Sequence, residues 1–408
     1  MADATGESRL GRVEFTGTRQ ELLGIVVGGY ALMIPTLGLY RFWQATWKRR
    51  FYWQNTVIDG EPLEYTGTAR QLLLGFFFAL AFFLPIYVAL FVLSMQDTGY
   101  VLVGYAGLAA IVWFLMGYAV YRARDFRLSR TLWRGIRFDL RGSALGYAAR
   151  RFLWSLAMVP TLGLIYPWMG ASLWRHRWRH TWYGDRQFAI AGTWRIVAGP
   201  YYGAYFINVL ALAGTAGWIG ATGDTMVLEG VTIPGPIGLA LCLGCVLVFA
   251  FGLALYRTRV ASRMLSTVSL GTATLRVGIP TGALFGQFVA YVFAVMALLA
   301  ILALTALLAL GGIFAAAAAS GQAPDAAALA AMFQSGTLNV LLLIVLYLVV
   351  FGAFGLLAEI ILAFGWWKLL AAGATLSDPD SLRSVRATAE DPALIGQGLA
   401  DALNVGTY

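Results

Sequence analysis

One carboxylate stands inside an otherwise apolar run late in the sequence: Glu359, in Leu357-Ala-Glu-Ile-Ile-Leu, seven residues before Trp366-Trp367-Lys368. At 1.5 Å per helical residue it lies roughly 10 Å inside the boundary those tryptophans mark. A carboxylate in that position is costly, and it can carry a proton or bind a cation or an amine. The alternative is an internal ion pair with an arginine. His176 and His180, the only histidines, stand one helical turn apart, a spacing that can set two metal ligands on one face. Arg175, Arg177 and Arg179 surround them and repel a cation, so no metal is expected. Cys242-x-x-Cys245 has no second ligand pair and reads as two core residues. No P-loop, nucleophile elbow or dinucleotide fingerprint is found. The sequence therefore assigns no catalytic residue and no cofactor.

Aromatic and basic residues form the second constellation. Trp174, Trp178 and Trp182 fall at i, i+4 and i+8, so a helix stacks them on one face, and Trp43, Trp47 and Phe51 repeat the spacing. Arginines, among them Arg50 and Arg175, fill much of the remaining circumference. Amphipathic rings beside cations suit the lipid headgroup layer. The bilayer, and anionic phospholipid headgroups in particular, are the expected partners of Trp43, Trp47, Arg50, Trp174, Arg175, Trp178 and Trp182. The plainer reading of the same residues is an interfacial anchor. A homo-oligomer is compatible with the sequence, and nucleic acid is not an expected partner.

The composition says what must hold these residues. Of 408 residues, 60% are hydrophobic and 12% charged, against about 25% charged in soluble domains. Apolar runs fall near 22–40, 72–95, 100–120, 152–170, 196–221, 236–256, 283–316 and 337–367, and most are long enough to cross a hydrocarbon core of about 30 Å. A soluble enzyme, a nucleic-acid-binding domain and a disordered scaffold are excluded. The reading is an all-α polytopic membrane protein of eight hydrophobic segments, with no cleavable signal peptide in its polar start.

The net charge of +9 then becomes a topology signal. The stretches 41–71, 121–151, 171–195 and 257–282 hold nearly all the basic residues, whereas 96–99, 221–235 and 317–336 hold none. If every segment crossed, 14 of 29 positives would face the outside. If segments one and four enter and leave on the cytoplasmic face, all are cytoplasmic, as are both termini, which the positive-inside bias prefers. Those two segments share a break, Pro-Thr-Leu-Gly-Leu, at Pro35–Leu39 and Pro160–Leu164. Proline removes a backbone donor and glycine relaxes the turn. Six spans and two broken, re-entrant segments are expected, with Pro35, Thr36, Gly38, Pro160, Thr161, Gly163 and Glu359 as candidates to line a pathway.

The shared break belongs to a longer match. Met33–Arg70 aligns without a gap to Met158–Arg195, 125 residues on, with 13 of 38 positions identical. A fainter match links Tyr121-Arg-x-Arg to Tyr256-Arg-x-Arg. The chain reads as a polar tail (1–14), two parallel membrane copies (15–141 and 142–282), a helical hairpin (283–367) and a cytoplasmic tail (368–408). Thr18-x-x-Glu21 and Thr68-x-x-Gln71 fit capping boxes, and Asp59-Gly60 fits a hairpin turn. Ile136–Leu140 and Gln187–Ala191 alternate as strands. Small cytoplasmic β-hairpins are therefore expected beneath the bundle. Gly24-x-x-x-Gly28 reads as a site of close helix packing.

Phe15-Thr-Gly-Thr, Thr36-Leu-Gly-Leu-Tyr-Arg-Phe-Trp, Arg49-Arg-Phe-Tyr-Trp-Gln-Asn-Thr and Tyr65-Thr-Gly-Thr together resemble the YjgN-like bacterial inner-membrane proteins. The resemblance runs from about residue 12 to 370 and implies a multi-pass inner-membrane location, with neither substrate nor catalytic residues. The second copy departs from the motif, with Ile165-Tyr-Pro-Trp where the first has Tyr40-Arg-Phe-Trp. The leading functional expectation is a transporter or channel for a small solute or ion. The second is a non-transporting envelope protein whose Trp/Arg segments bind anionic lipid or a cytoplasmic partner.

Overall fold

The computed structural model describes residues 9–95, 100–228, 231–319 and 349–388. They fall into two units, Met1–Thr281 with Lys368–Tyr408, and Gly282–Trp367.

The larger unit alternates strands with helix pairs. Strand β1 (Leu10–Phe15) leads into α1 (Arg19–Met33) and α2 (Arg41–Gln54), followed by β2 (Thr56–Ile58) and β3 (Glu61–Tyr65). Helices α3 (Ala69–Ser94) and α4 (Tyr100–Ser129) precede β4 (Thr131–Trp133) and β5 (Ile136–Leu140). Helices α5 (Ala144–Met158) and α6 (Tyr166–Arg179) precede β6 (Thr181–Tyr183), β7 (Arg186–Gln187) and β8 (Ala189–Ile190). Helix α7 (Trp194–Thr222), a separate hairpin of β9 (Thr225–Leu228) and β10 (Val231–Pro234), and α8 (Pro236–Leu265) lead to β11 (Val268–Leu270) and β12 (Ala273–Val277). The chain then enters the second unit and returns as β13 (Ala374–Ser377).

Short local signals set these junctions. Thr18 and Thr68 both make the expected capping boxes with Glu21 and Gln71, which satisfy amide groups that a helix start leaves open. At the other end, the Thr56, Thr131 and Thr181 hydroxyls each donate to the carbonyl four residues back, at 2.7, 2.8 and 2.9 Å. Each closes its helix and starts a strand. Asp59 and Gly60 take left-handed backbone, with φ of 51° and 83°, as a tight hairpin turn requires. Arg9 and Arg134 both bind the Asp59 carboxylate, at 3.4 and 2.9 Å.

The small hairpins do not stay separate, and here the all-α expectation is corrected. Eleven strands form one antiparallel sheet in the order β7-β6-β5-β4-β3-β2-β1-β13-β12-β11-β8. The two strands at the ends of that order, β7 and β8, are joined through the single residue Phe188. Neighbouring Cα atoms are about 3.8 Å apart, so the sheet closes on itself. The join is made by the chain itself, since β7 pairs with β6 and β8 with β11. Inside lie Trp133, Tyr183, Leu270 and Ala273, with Leu382 and Val385 from the segment after β13. The Tyr183 hydroxyl donates to the Trp133 carbonyl at 2.9 Å, and burial pushes its pKa up to about 12. The stretches read as N-terminal and C-terminal tails thus supply β1 and β13, which pair with each other.

Six described helices are long and apolar enough to cross a membrane: Ala69–Ser94, Leu102–Ser129, Trp194–Thr222, Pro236–Leu265, Thr281–Thr305 and Val349–Ala372. The protein is a polytopic helical membrane protein. In none of the six is more than 22% of the apolar window buried by the chain itself, so these faces meet lipid or other protein. Helices α1, α2, α5 and α6 hold 15, 14, 15 and 14 residues, roughly 21–23 Å each, short of a hydrocarbon core of about 30 Å. Each of these pairs leaves and rejoins the sheet on neighbouring antiparallel strands.

In the smaller unit, α9 (Thr281–Ala319) and α10 (Val349–Ala372) flank an open apolar groove of about 510 Å3 lined by Tyr291, Val295, Met296, Phe351 and Phe354. Helix α10 widens into a π-helix over Ala358–Ala363.

Candidate functional site

The broken segments are the first candidate. Both tips have the same backbone: Leu37 and Leu162 have φ of 49°, and Gly38 and Gly163 have φ of 84°. In each, the glycine amide reaches back to a methionine carbonyl, Met33 at 2.8 Å and Met158 at 3.0 Å. This is a Schellman-type helix stop, followed at once by a new helix. Thr36 and Thr161 hydroxyls donate to the Leu32 and Ala157 carbonyls at 2.6 and 2.8 Å. The apolar tip residues point outward, Leu37 being 93% exposed and Leu162 77%. Irregular backbone at membrane depth must find hydrogen bonds within the protein. For the second tip α7 supplies them: Tyr201, Tyr202 and Tyr205 donate to the Gly163, Leu164 and Leu162 carbonyls at 2.8, 2.8 and 3.0 Å.

Glu359 stands on the π-helix of α10, a helix form often found at functional sites. It belongs to the smaller unit, while both tips belong to the larger. Gln287 packs against Gly365 in that smaller unit, and Asn339 lies outside the described residues. Cys245 takes a short contact with the Thr215 hydroxyl, 3.1 Å away. At Gly24 and Gly28 an added Cβ meets nothing within 4 Å, and the close approach is at Gly29, where it would overlap the Gln44 amide. Among the described residues nothing packs on the Gly24/Gly28 pair. Gln44 fills the space at Gly29 because it donates to the Val26 carbonyl at 3.0 Å.

The basic and aromatic residues gather where helices meet the sheet. Trp43 stacks with Tyr40, ring centroids 6.1 Å apart. Trp47, half exposed, lies under the Arg50 guanidinium at 5.4 Å, and Arg50 also donates to the Gly67 carbonyl at 3.4 Å. Trp174 and Trp178 share α6, ring centroids 6.3 Å apart, with Arg175 partly buried beside them. Trp182 does not continue that stripe. Helix α6 ends at Arg179 because Thr181 caps its last turn, and Trp182 stands on β6 under Arg141 at 4.6 Å.

The tertiary structure adds residues that sequence spacing did not single out as a site. Arg124 of α4 lies 5.0 Å over Trp178, and Arg177 lies 5.7 Å over Trp174. Tyr121-Arg-x-Arg was the visible trace of the α4 contribution. Tyr121, Tyr147 and His176 form a ring cluster with centroids 5.2–5.9 Å apart. Burial pushes the His176 imidazole down to about 4, helped by His180 and Arg150, so it is neutral at pH 7. The His180 Nδ1 sits 2.6 Å from the His176 carbonyl. The arrangement is a cationic layer seated on aromatic rings, suited to binding oxyanions and unsuited to binding metal ions.

A family model described as Bacterial protein of unknown function (DUF898) matches residues 11–302, from β1 into α9. The chain belongs to that family. No curated protein and no solved structure matches it. In this DUF898 protein the matched stretch contains both tips, the whole arginine–tryptophan layer and every sheet strand except β13.

Proposed function

We propose that this DUF898 protein resides in the bacterial inner membrane, with the sheet on the cytoplasmic side, and holds anionic phospholipid in its arginine–tryptophan layer. One observation carries the reading. Nine arginines of the larger unit (Arg41, Arg49, Arg50, Arg124, Arg130, Arg134, Arg141, Arg177 and Arg195) lie over aromatic rings at 3.9–5.8 Å. The stretches 96–99 and 221–235, which join apolar helices, carry no Lys or Arg. Such asymmetry marks the cytoplasmic leaflet, where anionic headgroups attract basic side chains. On this reading α1/α2 and α5/α6 dip into the bilayer and return, their apolar tips acting as wedges. The copies 15–141 and 142–282 then run parallel, each with one dipping and one spanning pair.

Two measurements test it. Native mass spectrometry from nanodiscs of mixed phosphatidylglycerol and phosphatidylcholine should show the anionic lipid enriched on the protein. The enrichment should fall in the combined variant Trp47→Ala/Arg50→Gln/Arg175→Gln. A bulk lipid ratio on the native protein would overturn the reading. In a Cys242→Ser/Cys245→Ser background, cysteines at Asn55 and His180 should react with an impermeant thiol reagent only after the membrane is opened. Labelling from outside would reverse the orientation.

Transport of a small solute or ion is the second reading, supported by two helix breaks at the tips and by Glu359 on a π-helix. It requires flux in proteoliposomes that Glu359→Gln alters; no flux across a panel of ions and small solutes counts against it.

A further inference from the structure

Arg124 and Arg177 are partly buried cations from different helices, α4 and α6, close enough for the charge of one to bear on the other, with Arg127 adding a third. Each guanidinium carries five N–H donors. Yet among the described residues neither side chain donates to any acceptor, and the Nε of each is sealed from solvent without a partner. Both guanidinium groups lie on ring faces, Trp178 for Arg124 and Trp174 for Arg177. The Trp174 indole Nε1 is likewise buried without an acceptor.

The nearby carboxylates do not compensate. Asp125, next to Arg124 in sequence, binds Arg122 at 3.0 Å. Asp139 binds Arg141 at 2.9 Å. Two like charges held together and partly shielded from water, without acceptors, repel one another and lose part of their hydration. An oxyanion between them removes both costs, because planar guanidinium groups match phosphate oxygens and aromatic stacking holds the groups flat.

We infer that the outer guanidinium nitrogens of Arg124 and Arg177 clamp one phosphate-type oxyanion between α4 and α6. This rests on the lipid-binding reading only for the source of the anion. A phosphodiester of an anionic lipid and a free phosphate offer the same oxygens.

The test uses the purified full chain in nanodiscs. In phosphatidylglycerol nanodiscs, native mass spectrometry should find one lipid per chain that survives activation. In phosphatidylcholine nanodiscs, equilibrium dialysis with radiolabelled inorganic phosphate should find one site if the source is a free anion. Arg124→Gln and Arg177→Gln should each weaken whichever binding is seen at least tenfold, while Arg179→Gln, an exposed neighbour, should leave it unchanged. Arg177→Lys keeps the charge and should restore part of the affinity, which separates loss of the site from loss of folding. The bound probe should also raise the Tm of the native protein. If the native protein binds neither probe, or both glutamine variants bind as it does, the clamp is wrong. Anionic lipid enrichment that persists in both variants sinks the clamp and spares the lipid reading. One bound phosphate without lipid enrichment does the reverse.

Discussion

The two short helical hairpins, α1/α2 and α5/α6, have the same backbone and different chemistry. Their tips share φ angles at Leu37/Leu162 and Gly38/Gly163, and both return to the sheet through a threonine that closes the second helix. The side chains between diverge. At corresponding positions, 125 residues apart, Phe51 faces His176, Tyr52 faces Arg177 and Arg49 faces Trp174. Phe51 is buried against Phe15, ring centroids 6.1 Å apart, whereas His176 packs between Tyr121 and Tyr147. The first hairpin packs Phe51 and Tyr52 against Phe15 and keeps its cation at Arg49, which donates to the Tyr65 hydroxyl at 3.2 Å. The second places a neutral imidazole and an acceptor-less arginine there. One backbone scaffold thus carries two different side-chain arrangements.

The largest expected effect concerns the tips. Replacing Tyr201, Tyr202 and Tyr205 together with Phe removes the donors to the second tip. At about 1 kcal/mol for each hydrogen bond, the loss should be about 3 kcal/mol. Thermal unfolding in detergent checks it, and an unchanged Tm would mean that the tip needs no tertiary donor and that the hairpins differ less than they look. The next effect should be shared by both. Gly38→Ala and Gly163→Ala force a side chain into left-handed backbone, costing roughly 1–2 kcal/mol each. The two costs should match, because the Cβ added at Gly163 meets only the Tyr201 hydroxyl, at an ordinary 3.4 Å, and that of Gly38 meets nothing. A large gap between the two losses would show that the tips are not locally specified.

The smallest effect is a pH dependence belonging to the second hairpin alone. The folded His176 has its pKa lowered to about 4 from a usual 6.5. The unfolded chain therefore takes up a proton first as pH falls, and stability is lost between about 6.5 and 4. His176→Phe copies the residue of the first hairpin and should flatten the denaturation midpoint across that window. Equal slopes in the native and variant proteins would show that the imidazole is not held neutral.

Much of this fold is legible in short stretches of sequence. Both capping boxes, the Asp59-Gly60 turn and the two proline-glycine breaks are contacts within a few residues, so local residue types suffice. Six spans follow from the length and apolarity of the runs. The strands of the sheet are harder to read, since several have only 2 or 3 residues. Trp182 misled for the same reason: one threonine hydroxyl ended the helix that its spacing would have continued. Arg124 and Arg177 each look like one arginine among many until α4 and α6 are packed.

The sequence by itself determined that this is a membrane protein whose basic residues cluster in a few stretches of the chain, and which residues form the tips. Those properties depend on composition or on neighbours along the chain. Only the tertiary structure decided that the hairpins join into a closed sheet, because that closure needs β1 beside β13, some 360 residues apart along the chain. It alone decided which tip receives tyrosine hydroxyls and which arginines stand together without acceptors. Pairings of this kind depend on the distance between side chains in space, and residue order does not contain it.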